Sequence, residues 1–162
     1  MFQLDKTQKR PSRDQLYMDM AKLVAQRTTC LRRAVGCVLT NTRGHVLATG
    51  YNGVAAGQKH CNERVDDPVY TQDFYPHACP GSQAPSGTNL DACQAIHAEQ
   101  NALLQCRDVY DIETCYCTAS PCMTCTKLLL NTSCKRIVFS EEYPAPAAKE
   151  LWISSGREWV QL

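Results

Sequence analysis

No run in the 162-residue sequence approaches the roughly 18 apolar residues of a transmembrane helix. The opening segment MFQLDKTQKRPSRDQ lacks the apolar core of a secretory signal, so a cytoplasmic protein without membrane contact is expected. An excess of either charge is also missing: 17 Lys and Arg stand against 16 Asp and Glu. Affinity for long nucleic acid scales with clustered positive charge, so that class of partner is excluded. A small phosphorylated ligand is not, because one or two arginines can hold it. There is no internal repeat or low-complexity tract, and the length suits one domain over 1–162 with a single core.

Cysteine is what the chain has in quantity, 11 residues in all. A secreted protein of this size would use them as a disulfide framework, but the count is odd and no signal precedes them. In a reducing compartment such cysteines are metal ligands or small buried hydrophobes. Cys37, Cys106, Cys115, Cys117 and Cys134 sit in apolar or strand-like settings and read as core.

Periodicity predicts a first helix over 12–28. Ser12 and Gln15 suggest a capping box, and Leu16, Met20, Leu23 and Val24 form a stripe at helical spacing. Two strands, 35–40 and 46–51, flank the hairpin turn Asn41-Thr42-Arg43-Gly44. From about 53 to 92 the pattern dissolves into an irregular insert holding four of the eight prolines. So long an irregular stretch calls for a function or an added constraint. Order returns with helices over 93–106, 121–130 and 145–155 and strands over 114–119, 136–139 and 158–162. The alternation predicts an α/β fold of three layers, α/β/α, with a mixed five-stranded sheet covered by helices.

Two segments carry chemistry: His97-Ala98-Glu99 and Pro121-Cys122-Met123-Thr124-Cys125. A catalytic zinc takes three protein ligands and keeps one position open. His97, Cys122 and Cys125 supply one nitrogen and two sulfurs, the cysteines three apart at a helix start. Pro121 suits the first helical position, and the free amides of that helix end favour thiolates. Glu99, two residues from His97, points elsewhere on its helix and is free to move protons rather than ligate. A closed structural zinc knuckle would want a fourth protein ligand and no neighbouring acid. H-x-E followed by P-C-x-x-C is the signature of zinc deaminases.

Together with Gln26-Arg27, Val35-Gly36-Cys37-Val38, Gly50-Tyr51-Asn52-Gly53 and His97-Ala98-Glu99-Gln100-Asn101-Ala102, these segments resemble the deoxycytidylate (dCMP) deaminase family over about 14–160. Cys37 departs from the alanine that many relatives carry there. The resemblance implies a cytidine-deaminase-like fold and zinc-dependent hydrolysis of dCMP to dUMP and ammonia. It implies a homohexamer activated by dCTP and inhibited by dTTP with Mg²⁺. By position, Asn52 would meet the substrate sugar, Ala98 and Ser120 the base edge through their backbones, and Arg27 the 5′-phosphate. Asn52 beside Gly53 is equally a turn pair, and Arg27 equally a solvated helix end. Gly53 and Arg107 are the candidates for effector contacts, although Arg107 also reads as a plain surface arginine.

The resemblance further implies a second, structural zinc drawn from Cys30, Cys61, Cys79 and Cys93, with His77 and His60 as alternates. Ligation there would order an insert that lacks apolar burial. Cytidine, tRNA adenosine and riboflavin-pathway deaminases share the zinc chemistry and remain rivals. A catalytically silent zinc-binding nucleotide sensor is the rival from outside the enzymes, and it would have no use for Glu99.

Overall fold

The computed structural model of the chain describes residues 7, 9–64, 81, 85, 88 and 92–162. His77 and Cys79 lie outside the described residues.

Helix α1 spans Arg13–Ala25. The Ser12 hydroxyl caps it by accepting from the Gln15 amide at 3.1 Å, while the Gln15 side chain turns to Asp19 at 2.8 Å instead of closing a capping box. The hairpin strands follow as β1, Gly36–Thr40, and β2, Val46–Tyr51. Their turn is fixed by Asn41, whose side-chain oxygen accepts from the amides of Arg43 and His45. Gly44 supplies the positive φ of 82° that the turn requires. A two-stranded ribbon pairs β3, Gly53–Val54, with β4, Ala95–Ile96. Then come α2, Ala98–Gln105; β5, Thr114–Ala119; α3, Met123–Leu130; β6, Arg136–Glu141; α4, Pro146–Ser154; and β7, Glu158–Gln161.

The main sheet runs β2-β1-β5-β6-β7, antiparallel on either side of β1 and parallel from β5 onward. On one face α1 packs Tyr17, Met18 and Ala21 against Val38, Tyr116 and Val138. On the other, Ala98, Ala102, Leu129 and Trp152 of α2 to α4 cover Cys37, Leu39, Cys115, Cys117, Ile137 and Phe139. This is the expected three-layer sandwich. Two glycines set the spacing of its layers. A methyl group on Gly36 would collide with the Ala21 carbonyl of α1, and one on Gly50 with the backbone of Ala98 and Ala102 in α2.

Several expected boundaries shift. The buried stripe of α1 is Tyr17, Met18, Ala21 and Ala25, whereas Leu16 and Leu23 are 46% and 64% exposed. Close approach at Gly36 selects small residues for the inner face, which a search for large apolar residues misses. The helix stops at Ala25 rather than 28, with Gln26 as its cap. The second helix begins at Ala98, not 93, because Ala95 and Ile96 are held in the β3–β4 ribbon. Pro121 falls before the cap of α3, and Cys122 takes the N-cap position itself.

A bidentate ion pair joins α1 to the sheet. Arg136 donates to both Asp14 oxygens at 2.8 and 2.7 Å, and the Tyr116 hydroxyl adds a bond at 2.8 Å. At the other end Arg157 stacks over Trp152 and donates to the carbonyls of Leu129, Leu130 and Cys134. It thereby satisfies the open C-terminus of α3, where a cation is also favoured by the helix dipole.

Candidate metal centre and its cleft

The two signature segments meet at the starts of α2 and α3. His97 and Cys122 are both N-caps in extended conformation, at φ −70°, ψ 156° and φ −71°, ψ 172°. Their carbonyls accept the first helical bonds, from Asn101 and Thr126 at 2.9 Å each. The Gln100 side chain reaches back to the His97 amide at 2.8 Å, which fixes the histidine backbone. Cys125 lies one turn into α3. The result is that His97 Nδ1 sits 3.4 Å from both Cys122 Sγ and Cys125 Sγ.

The spacing can be tested against zinc. Bonds of about 2.0 Å to nitrogen and 2.3 Å to sulfur at tetrahedral angles put N and S about 3.5 Å apart. The triad, with all ligand atoms within 4.8 Å of one another, fits that geometry and has the donor types zinc prefers. Cys122 is the readily ionised sulfur. The Cys125 thiol donates to it and, against the cost of burial, this and His97 push its pKa down to about 4. That same donation, then burial, holds Cys125 well above the ordinary thiol range.

Glu99 occupies the first turn of α2, is buried, and faces the same cleft. Burial, the largest cause, pushes its carboxyl up to about 7. Counting its open mouth, the empty space of the cleft is about 620 Å³. Ser120, Pro121 and Cys122 follow β5, and Tyr143 follows β6. The cleft therefore opens at the carboxyl ends of the parallel strands, where α/β sheets bind ligands.

Of the substrate-side candidates, Asn52, Ala98 and Ser120 all line the cleft. Asn52 is also a strut. Its carbonyl accepts from Val35 N at 2.8 Å and Thr28 Oγ1 at 2.9 Å, and its amide donates to Arg33 O at 2.7 Å. The Ser120 amide donates to Glu141 O, leaving its carbonyl as the backbone group to offer. Arg27 is exposed and absent from the cleft lining. The chain leaves α1 through tight turns at 26–28, and the next cations to reach the wall are Arg32 and Arg33.

Sequence reasoning missed Arg32, Arg33 and Tyr143. Arg33 pairs with Glu141 at 2.6 Å and lies over the Tyr143 ring at 5.8 Å, building one rim. Arg32 donates to the carbonyls of Pro85 and Thr88 and so ties the insert to the other. The available signal was positional, since Tyr143 directly follows a parallel strand. Arg107 is exposed after α2, and Gly53 is buried in the β3–β4 ribbon.

Of the second-zinc candidates, Cys30 and Cys93 line the cleft and Cys61 is buried in a single 3₁₀ turn capped by His60. Among the described residues, Cys30, Cys61 and Cys93 do not form a ligand cluster by themselves.

Comparison with known proteins agrees with this arrangement. The family described as the cytidine and deoxycytidylate deaminase zinc-binding region matches residues 11–141. A deoxycytidylate deaminase of Schizosaccharomyces pombe is 39% identical over 83% of this chain and 38% of its own length. The one from Mycobacterium phage D29 is 37% identical over 82% of this chain and 98% of its own. This chain thus spans about two fifths of the yeast relatives it matches. Among solved structures, the dCMP deaminase of cyanophage S-TIM5 in complex with dCMP and dUMP superposes with a TM-score of 0.69. It is 26% identical over 96% of this chain and all of the other. Among the described residues no helix is long and apolar enough to cross a membrane.

Proposed function

Because the chain belongs to the cytidine and deoxycytidylate deaminase family, we propose that it hydrolyses dCMP to dUMP and ammonia. The observation that carries this reading is the convergence of His97, Cys122 and Cys125 beside a buried carboxyl in one open cleft. His97, Cys122 and Cys125 would hold the zinc, which when bound would supply Lewis acidity toward water.

The chain's own residues do the rest. Glu99 takes one proton from the attacking water and delivers it to the ring nitrogen, then carries the remaining hydroxyl proton to the departing amino group, so that one water is consumed and one ammonia leaves. Ala98 N–H and the Ser120 carbonyl would meet the base edge and Asn52 the sugar, a role supported by all three lining the cleft. Arg32 and Arg33 are the cations at the mouth for a 5′-phosphate. A second zinc from Cys30, Cys61, Cys79 and Cys93, with His60 or His77 as alternates, belongs to the same proposal. So do a homohexamer and regulation by dCTP and by dTTP with Mg²⁺, where Gly53 and Arg107 are the effector candidates. These rest on family resemblance, and hyperbolic kinetics indifferent to both nucleotides would end the regulatory part.

The test is ammonia release from dCMP, deoxycytidine, CMP and dCTP offered separately to the wild type and to Glu99→Gln. The wild type is expected to prefer dCMP. The variant should keep its zinc and lose about two to four powers of ten in turnover. Turnover by Glu99→Gln near the wild-type rate would show the proton path to be wrong.

A further inference from the structure

Three cysteines that the deamination site does not use converge in the core. Cys37 and Cys117 face each other across the β1–β5 ladder, and Cys115 lies two residues from Cys117 on the same face. Cys115 Sγ sits 3.6 Å from Cys37 Sγ and 3.4 Å from Cys117 Sγ, and all three sulfurs fall within 4.8 Å of one another. All three residues are 0% exposed.

We propose that Cys37, Cys115 and Cys117 form a second metal site, separate from His97, Cys122 and Cys125, that takes one soft monovalent cation such as copper(I).

The geometry suits a three-sulfur site. A metal about 2.3 Å from each of three sulfurs in a plane sets them about 4.0 Å apart. The two edges at Cys115, 3.6 and 3.4 Å, reach that with shifts of about 0.4 and 0.6 Å, and the third already falls within 4.8 Å. Softness and coordination number then choose the ion. Sulfur alone selects copper(I), zinc or iron–sulfur chemistry. Among the described residues the cluster has no fourth His, Cys, Asp or Glu, and all three cysteines are sealed from bulk solvent. Zinc wants four ligands, whereas a soft monovalent ion is satisfied by three.

Charge points the same way, because a sealed apolar core penalises an uncompensated ion. One thiolate balances one monovalent cation. Cys115 is placed for that role, its sulfur lying 3.6 and 3.4 Å from those of Cys37 and Cys117.

The test uses the full chain loaded with zinc, titrated anaerobically with copper(I) in competition with a chromogenic chelator. Zinc is measured throughout, and sulfur coordination is read by X-ray absorption. The expected result is one copper per chain bound by three sulfurs with zinc retained. Cys115→Val and, as a second variant in case the first fails to fold, Cys117→Ala should weaken copper binding by about 100-fold or more while keeping zinc. Cys61→Ser should leave it unchanged. Copper that displaces zinc mole for mole, that binds Cys115→Val and Cys117→Ala as tightly as the wild type, or that is lost in Cys61→Ser would overturn the proposal.

Discussion

Replacing Gly50 by alanine perturbs the metal centre without touching any residue in it. Gly50 pairs with Cys37 on β2 and faces α2. A methyl there meets the Ala98 carbonyl oxygen and the Ala102 amide nitrogen well inside contact distance, and Ala102 Cα at 3.0 Å. All three are backbone atoms of the helix that is capped by His97 and carries Glu99, so no side chain can swing aside. Restoring ordinary contact, 3.4 Å or more, requires α2 to move by about 1 Å, a backbone shift of the kind that costs about 1–3 kcal/mol in a packed core. Displacing catalytic groups by about 1 Å can lower turnover by about 100-fold. Urea unfolding, zinc content and ammonia release from dCMP would be compared with Gly156→Ala. That control makes the same chemical change at φ 74° with open space around it, and should cost about 1 kcal/mol of stability without affecting turnover. Gly50→Ala with the wild-type midpoint and rate would refute the claim that this close approach positions the site.

Cys122→Ser is expected to abolish zinc binding and activity together, and stoichiometric zinc in the purified variant would contradict the ligand assignment. Arg157→Gln should lower stability by about 1.5–3 kcal/mol, seen in denaturant midpoints, since it removes charged bonds to three carbonyls around the end of α3. Asp14 has its pKa held below the ordinary carboxylate value, first by the Arg136 hydrogen bonds. Its contribution is therefore present above the unfolded pKa of about 4 and lost as pH falls through the lower folded value. Asp14→Asn should be less stable than the wild type at neutral pH, with the gap closing in acid. A gap independent of pH would rule out that linkage.

The order of strands and helices was legible because each element carries its own period, and the strand 114–119 matches β5 residue for residue. What failed was the reading of faces and starts. On α1, size was mistaken for burial: the sheet accepts Ala21 and Ala25 at close range and leaves Leu16 and Leu23 to solvent. In the cleft, Arg32, Arg33 and Tyr143 carry no local motif and become neighbours of Glu99 only when β1, β5 and β6 align. The cluster of His97, Cys122 and Cys125 was legible because two of its residues sit three apart and the third stands beside an acid.

The shifted helix starts and the metal centre have one physical cause. Periodic patterns place His97 and Cys122 inside helices, yet both are N-caps, and neither side chain is of the Ser, Thr, Asp or Asn type that closes a helix start by itself. A metal drawn between them would tie the starts of α2 and α3 to one point. The positive ends of both helix dipoles then stabilise the sulfur charges that zinc requires. Coordination would thus take over part of the work that a hydroxyl or carboxylate cap does elsewhere, and the three positions hold their geometry only while both helices remain docked. Metal affinity and helix packing are coupled for that reason. A packing change as remote as Gly50→Ala should raise the zinc dissociation constant as well as lower the rate, which a change confined to the chemistry of Glu99 would not do.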